Sequence, residues 1–250
     1  MNTRIGMVRI VAAGLLITGM AFGRPPRTDA EMSSKAQDKL YHEKLGPNVQ
    51  VKVEDAVATL EGSVDSIGLK EKAAKTVSKV DGITEVANNL QVSAADDGNI
   101  LKQAGKRIRT YAYYSIFDDV QLQSLGGHLV LTGQVTQPWR RTEIENLVET
   151  IPGVQRVDNK LEVLPLSSFD DQIRLRVARA IYRDPVLSRY AIQANPPIHI
   201  VVKNGNVRLT GVVNSPVEKA VAQRAARFAA TYFNLENDLQ VESEMARPRM

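Results

Sequence analysis

Cysteine is absent from the 250 residues. That excludes disulfides, thiol chemistry and a lipid anchor on an N-terminal cysteine, so the fold has to be held by packing alone. Histidine is nearly absent. His42, His128 and His199 fall at non-equivalent places, none with a second histidine at metal-ligand spacing, which leaves no metal centre to expect. Glycine-rich phosphate loops are missing as well. Long apolar runs are also lacking: Ile10 to Gly23 covers 14 residues, short of the roughly 17 to 25 that a spanning helix needs.

What that run does fit is a secretory signal peptide over residues 1–23. Arg4 and Arg9 flank a charge-poor start, and Ala21-Phe22-Gly23 supplies small residues at the cleavage positions. Export to the periplasm is the expectation, with an uncleaved anchor as the alternative. The composition, 43% apolar and 24% charged, is that of globular protein. The net charge of +4 is unevenly placed. Residues 33–95 and 96–167 each carry eight basic and nine acidic groups, whereas 168–243 carry ten and seven. Only the last third is therefore a candidate for an anionic partner.

The chain repeats itself. Gly62, Gly133 and Gly211 are each followed 26 residues later by an asparagine (Asn88, Asn159, Asn237) and 30 residues later by a valine (Val92, Val163, Val241). Around the glycines stand LEGSV, LTGQV and LTGVV; around the asparagines NNLQV, NKLEV and NDLQV. Spacings of 71 and 78 residues exceed those of solenoids, so each unit should be a small domain with its own core.

Within a unit, alternating apolar residues predict a hairpin: Val49, Val51 and Val53 lead into Val57 to Val64, with the clearest turns at Gly126-Gly127 and Asn204-Gly205. A helix follows, signalled by Gln137-Pro138 and by the capping sequence Ser215-Pro216-Val217-Glu218. Its apolar face reads Ala73, Thr76, Val77, Val80 in unit one, Ile144, Leu147, Val148, Ile151 in unit two and Ala222, Ala225, Ala226, Ala229 in unit three. One strand closes each unit. A preceding helix carries Leu101, Ala104, Ile108 and Tyr111, then Ile173, Val177, Ala180 and Ile181, on one face; in unit one it reads as Ser33 to Leu45, after a linker over 24–32. The fold class is α+β: three tandem αββαβ units over 33–95, 97–165 and 168–243, each a three-stranded mixed sheet with two helices on one face.

The order strand, Leu-x-Gly-x-Val, alanine-bearing helix, Gly-Val-x-x-Val and Asn-x-Leu-x-Val resembles the BON domain (bacterial osmotically induced periplasmic protein and nodulation domain). The resemblance covers about residues 33–243. Unit three lacks the Gly-Val, and unit one has Ala56 where the hairpin glycine belongs. It implies an envelope protein without enzymatic activity that binds phospholipid surfaces or other envelope components. It carries over no lipid-binding residue, so a site must come from this sequence.

Catalytic groups do not assemble in the sequence. Asp118-Asp119 enters a strand and Asp170-Asp171 opens a helix, where carboxylates cap and complement the dipole; Ser33-Ser34 and Ser167-Ser168 likewise precede helices. RNA binding of the KH kind needs a Gly-x-x-Gly loop that no unit has. The repeated Gly62, Gly133 and Gly211 read as structural. Tyr111, Tyr113, Tyr114 and Phe117 form either an interfacial aromatic belt or a helix end packed on its own sheet. Trp139 is either an exposed contact or a staple on its helix.

Two surfaces remain. Arg176, Arg179 and Arg183 fall within about 60° of one another on a helix, opposite Ile173, Val177 and Ala180. They are the candidate contact with an anionic phospholipid surface. Val217, Val221 and Phe228 make a second stripe on the last helix of unit three, with Arg224 at its edge. This stripe is either a widened core or an interface with another unit, another chain or a membrane. The expected partners are anionic phospholipid or an envelope protein. No cofactor, metal, nucleic acid or small-molecule substrate is indicated.

Overall fold

The computed structural model describes residues 27–45 and 48–242. The expected signal peptide over 1–23 and residues 24–26 of the expected linker lie outside them. Unit one comprises α1 (Asp29–His42), β1 (Val49–Glu54), β2 (Val57–Val64), α2 (Ile67–Val77), β3 (Glu85–Asn88) and β4 (Gln91–Val92). Unit two comprises α3 (Asp97–Thr110), β5 (Asp119–Leu125), β6 (His128–Val135), α4 (Pro138–Glu149), β7 (Arg156–Asn159) and β8 (Glu162–Val163). Unit three comprises α5 (Ser168–Arg183), α6 (Ser188–Ala191), β9 (Ile198–Lys203), β10 (Asn206–Val213), α7 (Pro216–Arg227), β11 (Asn234–Asn237) and β12 (Gln240–Val241).

In every unit the first strand pairs antiparallel with the second, and the last runs parallel to it on the other side. This is the mixed αββαβ sheet that the repeats imply. The closing strand is split: β3 and β4 both pair with β2, and the same holds in the other units. The repeated asparagine sits at the break. Asn88, Asn159 and Asn237 each donate Nδ2–H to a helix carbonyl (Lys70, Arg141, Lys219) and accept, on Oδ1, the N–H of Leu90, Leu161 or Leu239. That leucine then points into the core, so one side chain ties helix to sheet and aims the next apolar residue.

The repeated glycine has an equally local cause. Gly62, Gly133 and Gly211 have φ of +116°, +112° and +108°, and an added Cβ would overlap the carbonyl oxygen of Asn48, Asp119 or Pro197, where the first strand begins. No side chain fits between the two strands there.

Each hairpin turns through two residues of positive φ: Asp55-Ala56, Gly126-Gly127 and Asn204-Gly205, as a two-residue type I′ connection requires. An aspartate from the first helix holds each turn. Asp29, Asp97 and Asp170 accept the two backbone N–H groups of the turn at 2.7–3.3 Å. Asp170 is therefore not a cap of its own helix, as its sequence position suggests; Ser167 caps α5 by accepting the N–H of Asp170.

Three separate cores result. The expected stripe residues of the second helices are buried or half-buried in them. In α3 the buried face is Ile100, Ala104 and Ile108, with Leu101 only half-buried. The linker expected over 24–32 is corrected, because α1 starts at Asp29: Thr28 and Glu31 form a reciprocal capping box, and Met32 is buried. Ala30 and Met32, the two apolar residues of DAEMSS, give too little periodicity to show it. The longer third repeat holds an unforeseen element, α6, which sends Leu187 and Tyr190 into the core.

The free edges of β1 and β9 are dressed. Gln37 of α1 donates to Val49 O and accepts Val51 N–H, and Ser33 accepts Val53 N–H along the outer edge of β1. On β9, Arg174 donates to Val202 O, Tyr182 to Ile198 O, and Ile200 N–H to Ile116 O of unit two.

Candidate functional site

The outer face of α5 is built by its inner one. Ile173, Val177 and Ile181 are buried against β9 and α7, which turns Arg176, Arg179 and Arg183 outward, all exposed. None of the three pairs with a described acidic residue. Leu175 is half-exposed beside them. The fourth arginine of the helix differs. Arg174 is buried, with Asp171 at 2.5 Å and Val202 O at 2.6 Å, and serves the fold.

The second stripe divides. Val221 is buried in the core of unit three, because the small alanines of α7 leave room for a wider apolar face. It is withdrawn as an interface residue. Val217, Phe228 and Arg224 are exposed. Phe228 ends α7 at the same end of the unit as the β9–β10 turn, where Phe169 and Phe233 flank Gly205. Neither of those two phenylalanines stood out in the sequence, since one opens a helix and the other lies in a connection, where periodicity has nothing to say.

The paired acids separate into two structural roles. Asp118 is wholly buried and accepts from Ser115 N–H and Oγ–H, Thr136 N–H and Oγ1–H, and the Arg140 guanidinium at 2.6 Å. Asp119 reaches across to Arg208 of unit three at 3.1 Å. Among the described residues no group of three metal-ligating side chains occurs, and no helix is long and apolar enough to cross a membrane.

A family model, the BON domain, matches residues 28–94, 96–165 and 169–243. The chain belongs to the BON domain family. Among its relatives is osmotically-inducible protein Y of Escherichia coli strain K12, 27% identical over 144 residues that cover 54% of this chain and 72% of that protein. Solved structures give weaker likenesses. The C-terminal domain of CdsD, a structural protein of the type III secretion system of Chlamydia trachomatis, is 15% identical with a TM-score of 0.23, covering 86% of this chain and 99% of that one. The periplasmic domain of PrgH is 12% identical with a TM-score of 0.21, covering 82% and 99%.

The BON domains meet in two different ways. Between the first and second, the corner where β2 enters α2 sits on the turn end of its neighbour: Ile67 N–H donates to Val154 O and Gly153 N–H to Asp65 O, both 2.8 Å. Gly68 lies so close that a Cβ would stand 2.9 Å from Glu149 O. Burial there, then Glu71 and Glu145, hold the Glu149 carboxyl above its ordinary pKa. Between the second and third, the loop before β5 covers the open face and edge of β9. His199 Nδ1 bonds to Asp118 O at 2.6 Å, its ring lies 5.3 Å from that of Tyr114, and burial lowers its pKa. Ile116 and Phe117 pack against the core of the third domain. The tyrosine cluster is thus split: Tyr114 packs on the core of its own unit and beside His199, Phe117 packs on the third domain, and Tyr111, Tyr113 and Trp139 stack edge to face at 5.6 and 5.3 Å. Open clefts of about 1140 and 940 Å³ flank this joint, sharing Asp119, Val120, Gly211 and Val212.

Proposed function

We propose that this protein works in the cell envelope by binding, not by catalysis, and that the outer face of α5 is laid on anionic phospholipid. The observation that carries the reading is the exposed row Arg176, Arg179 and Arg183, without acidic partners among the described residues and with Leu175 beside it. Three cations on a rigid helix, backed by a buried face that cannot turn, present a fixed basic surface. The units before it are net acidic by one charge each, so attraction is concentrated on this unit. The apolar N-terminal run supports export, and the relative's name supports a link to osmotic stress.

The test is co-sedimentation with vesicles of phosphatidylglycerol and phosphatidylcholine at several salt concentrations. Each basic residue near an anionic surface is worth on the order of 1 kcal/mol, so reversing all three to glutamate should weaken binding by roughly a hundredfold or more. Binding of the parent should fall with added salt. Unchanged binding in the triple variant, or a salt-insensitive parent, would end this reading.

A further inference from the structure

The first strand of each unit lies at the rim of its sheet, and in an antiparallel pair alternate residues turn both backbone groups away from the partner strand. Val49, Val120 and Ile198, each opposite the repeated glycine, begin this outward set; Val51, Leu122 and Ile200, then Val53, Ser124 and Val202, continue it. In units one and three the rim is satisfied. Ser33 and Gln37, which follow Asp29 on α1, bond Val53 N–H, Val51 N–H and Val49 O. Arg174 and Tyr182, which follow Asp170 on α5, bond Val202 O and Ile198 O, and Ile116 O takes the N–H of Ile200.

Unit two is built differently. At the places of Ser33, Gln37 and Tyr41 on α1, and of Arg174, Ala178 and Tyr182 on α5, α3 carries Leu101, Gly105 and Arg109. The first is apolar and the second has no side chain. Arg109 makes no hydrogen bond to a described residue; it lies back over Gly105, with Nη1 3.2 Å from where a Cβ would stand. Ser124 bonds Asp97 through its hydroxyl, but Val120 O, Leu122 N–H and O, and Ser124 N–H have no partner among the described residues. The rim opens into the cleft of about 940 Å³, with Ile108, Arg109 and Leu122 on one side and Asn195 and Pro197 of unit three on the other.

Unpaired N–H and C=O groups repeating at strand spacing are matched by another polypeptide backbone in extended form. Charge sets its direction. α3 runs from Asp97, which holds the β5–β6 turn, to Arg109 in its last turn, beside the cleft that Val120 lines. A strand laid antiparallel to β5 therefore brings its C-terminal end to Arg109. That guanidinium is exposed and pairs with no described acidic residue, so a carboxylate there gains charge-assisted hydrogen bonds.

We propose that the rim of β5 takes up an extended segment of another protein as an added antiparallel strand, with an apolar side chain over Gly105 and a carboxylate at its C-terminal end against Arg109. Because unit three walls the cleft, the rim is offered to a single segment and not to the flank of another sheet. The site uses none of Arg176, Arg179 and Arg183, so it stands apart from the lipid reading.

Short synthetic peptides of alternating valine and threonine, with a free C-terminal carboxylate, serve as probes for the full chain. Binding, followed by amide NMR shifts and hydrogen exchange, should protect the Leu122 and Ser124 amides and leave those of β1 unchanged. Methylating the peptide nitrogens that face β5 should abolish it. Amidating the C-terminus should weaken binding about tenfold in the parent but not in Arg109→Gln. Gly105→Gln restores the side chain that Gln37 supplies in unit one, and its Cβ meets only the far end of Arg109 and, at 4.0 Å, Leu122. It should weaken binding about tenfold while raising the melting temperature of unit two, since glutamine suits a helix interior better than glycine. Loss of binding in a more stable variant separates blocking from misfolding. No response of Leu122 or Ser124 to any of the peptides, equal binding of the methylated ones, or undiminished binding to Gly105→Gln would each overturn the proposal. Protection of the same amides that rises with protein concentration alone would assign the rim to a second copy, and would overturn it too.

Discussion

Asp97 of α3 accepts the N–H of Gly127 on the far hairpin at 3.0 Å, thirty residues along the chain. It also accepts from Gly126 N–H at 2.7 Å and Ser124 Oγ–H at 2.6 Å. A helix start and a strand turn are thereby fixed to each other by one carboxylate, and Asp29 and Asp170 repeat the device in the other units.

The bond to Ser124, followed by those to Gly127 and Gly126, holds the Asp97 carboxyl below the ordinary aspartate range. A folded-state pKa below the unfolded one means that the stabilisation is fully present above the unfolded value of about 3.9 and is lost as pH falls through the folded value. Asp97→Asn should therefore flatten part of the acid limb below about pH 4 in melts of unit two. An acid limb identical to that of the parent would show that the turn does not depend on the charge.

Replacing Gly133 or Gly211 even by alanine should destabilise its own unit by about 1 to 3 kcal/mol, since the backbone is in a region that disfavours a side chain and the Cβ meets a carbonyl. Denaturant unfolding followed by hydrogen exchange of each unit reads the effect. Parent-like protection in the altered unit would mean that the strands separate there without cost.

Ala56 stands at φ +63° in the turn where units two and three have glycine. A left-handed alanine costs about 1 to 2 kcal/mol and glycine's added chain entropy returns part of that. Ala56→Gly should raise the stability of unit one by about 0.5 to 1 kcal/mol, seen as a later denaturation midpoint. A lower midpoint would show that the two bonds from Asp29 already offset the strain.

Asp118→Ala should cost unit two about 3 to 5 kcal/mol, because it leaves the Arg140 guanidinium and four other donors without their acceptor. The joint with unit three should loosen as well, since the loop that carries the backbone carbonyl of residue 118 to His199 loses its side-chain anchor. Exchange of the Ile200 amide, which donates to Ile116 O, reports the joint separately. Slow exchange there in the variant would separate the two effects.

The units were legible because their constraints are local and recur. A glycine that must let two strands touch, and an asparagine that brackets a broken strand, reappear at fixed spacing, and the helix stripes follow from periodicity. Contacts between units left no such trace. Ile67, Asp119, His199 and Arg208 do not recur at equivalent places, so no comparison of repeats isolates them. The arginine row is readable from helical geometry alone, whereas the stripe of Val217, Val221 and Phe228 is left open between a widened core and an interface, because periodicity does not say how much room alanines leave; Val221 falls to the core and the other two to the surface. The role of Asp170 was hidden for another reason: a first-turn carboxylate ordinarily serves its own helix, and only the tertiary fold brings the turn to it.

The dressed strand edges bear on how such a protein survives at high concentration. A three-stranded sheet has two outer edges, and three such sheets in one chain offer many rows of unpaired amides for a neighbouring molecule to extend. Here the closing strands break after four residues, and side chains or a neighbouring loop already occupy outward groups of β1 and β9. Growth by edge-to-edge strand addition, the route toward amyloid-like aggregates, is thus blunted at those edges, and molecules brought together have unit ends and helix faces left to meet through.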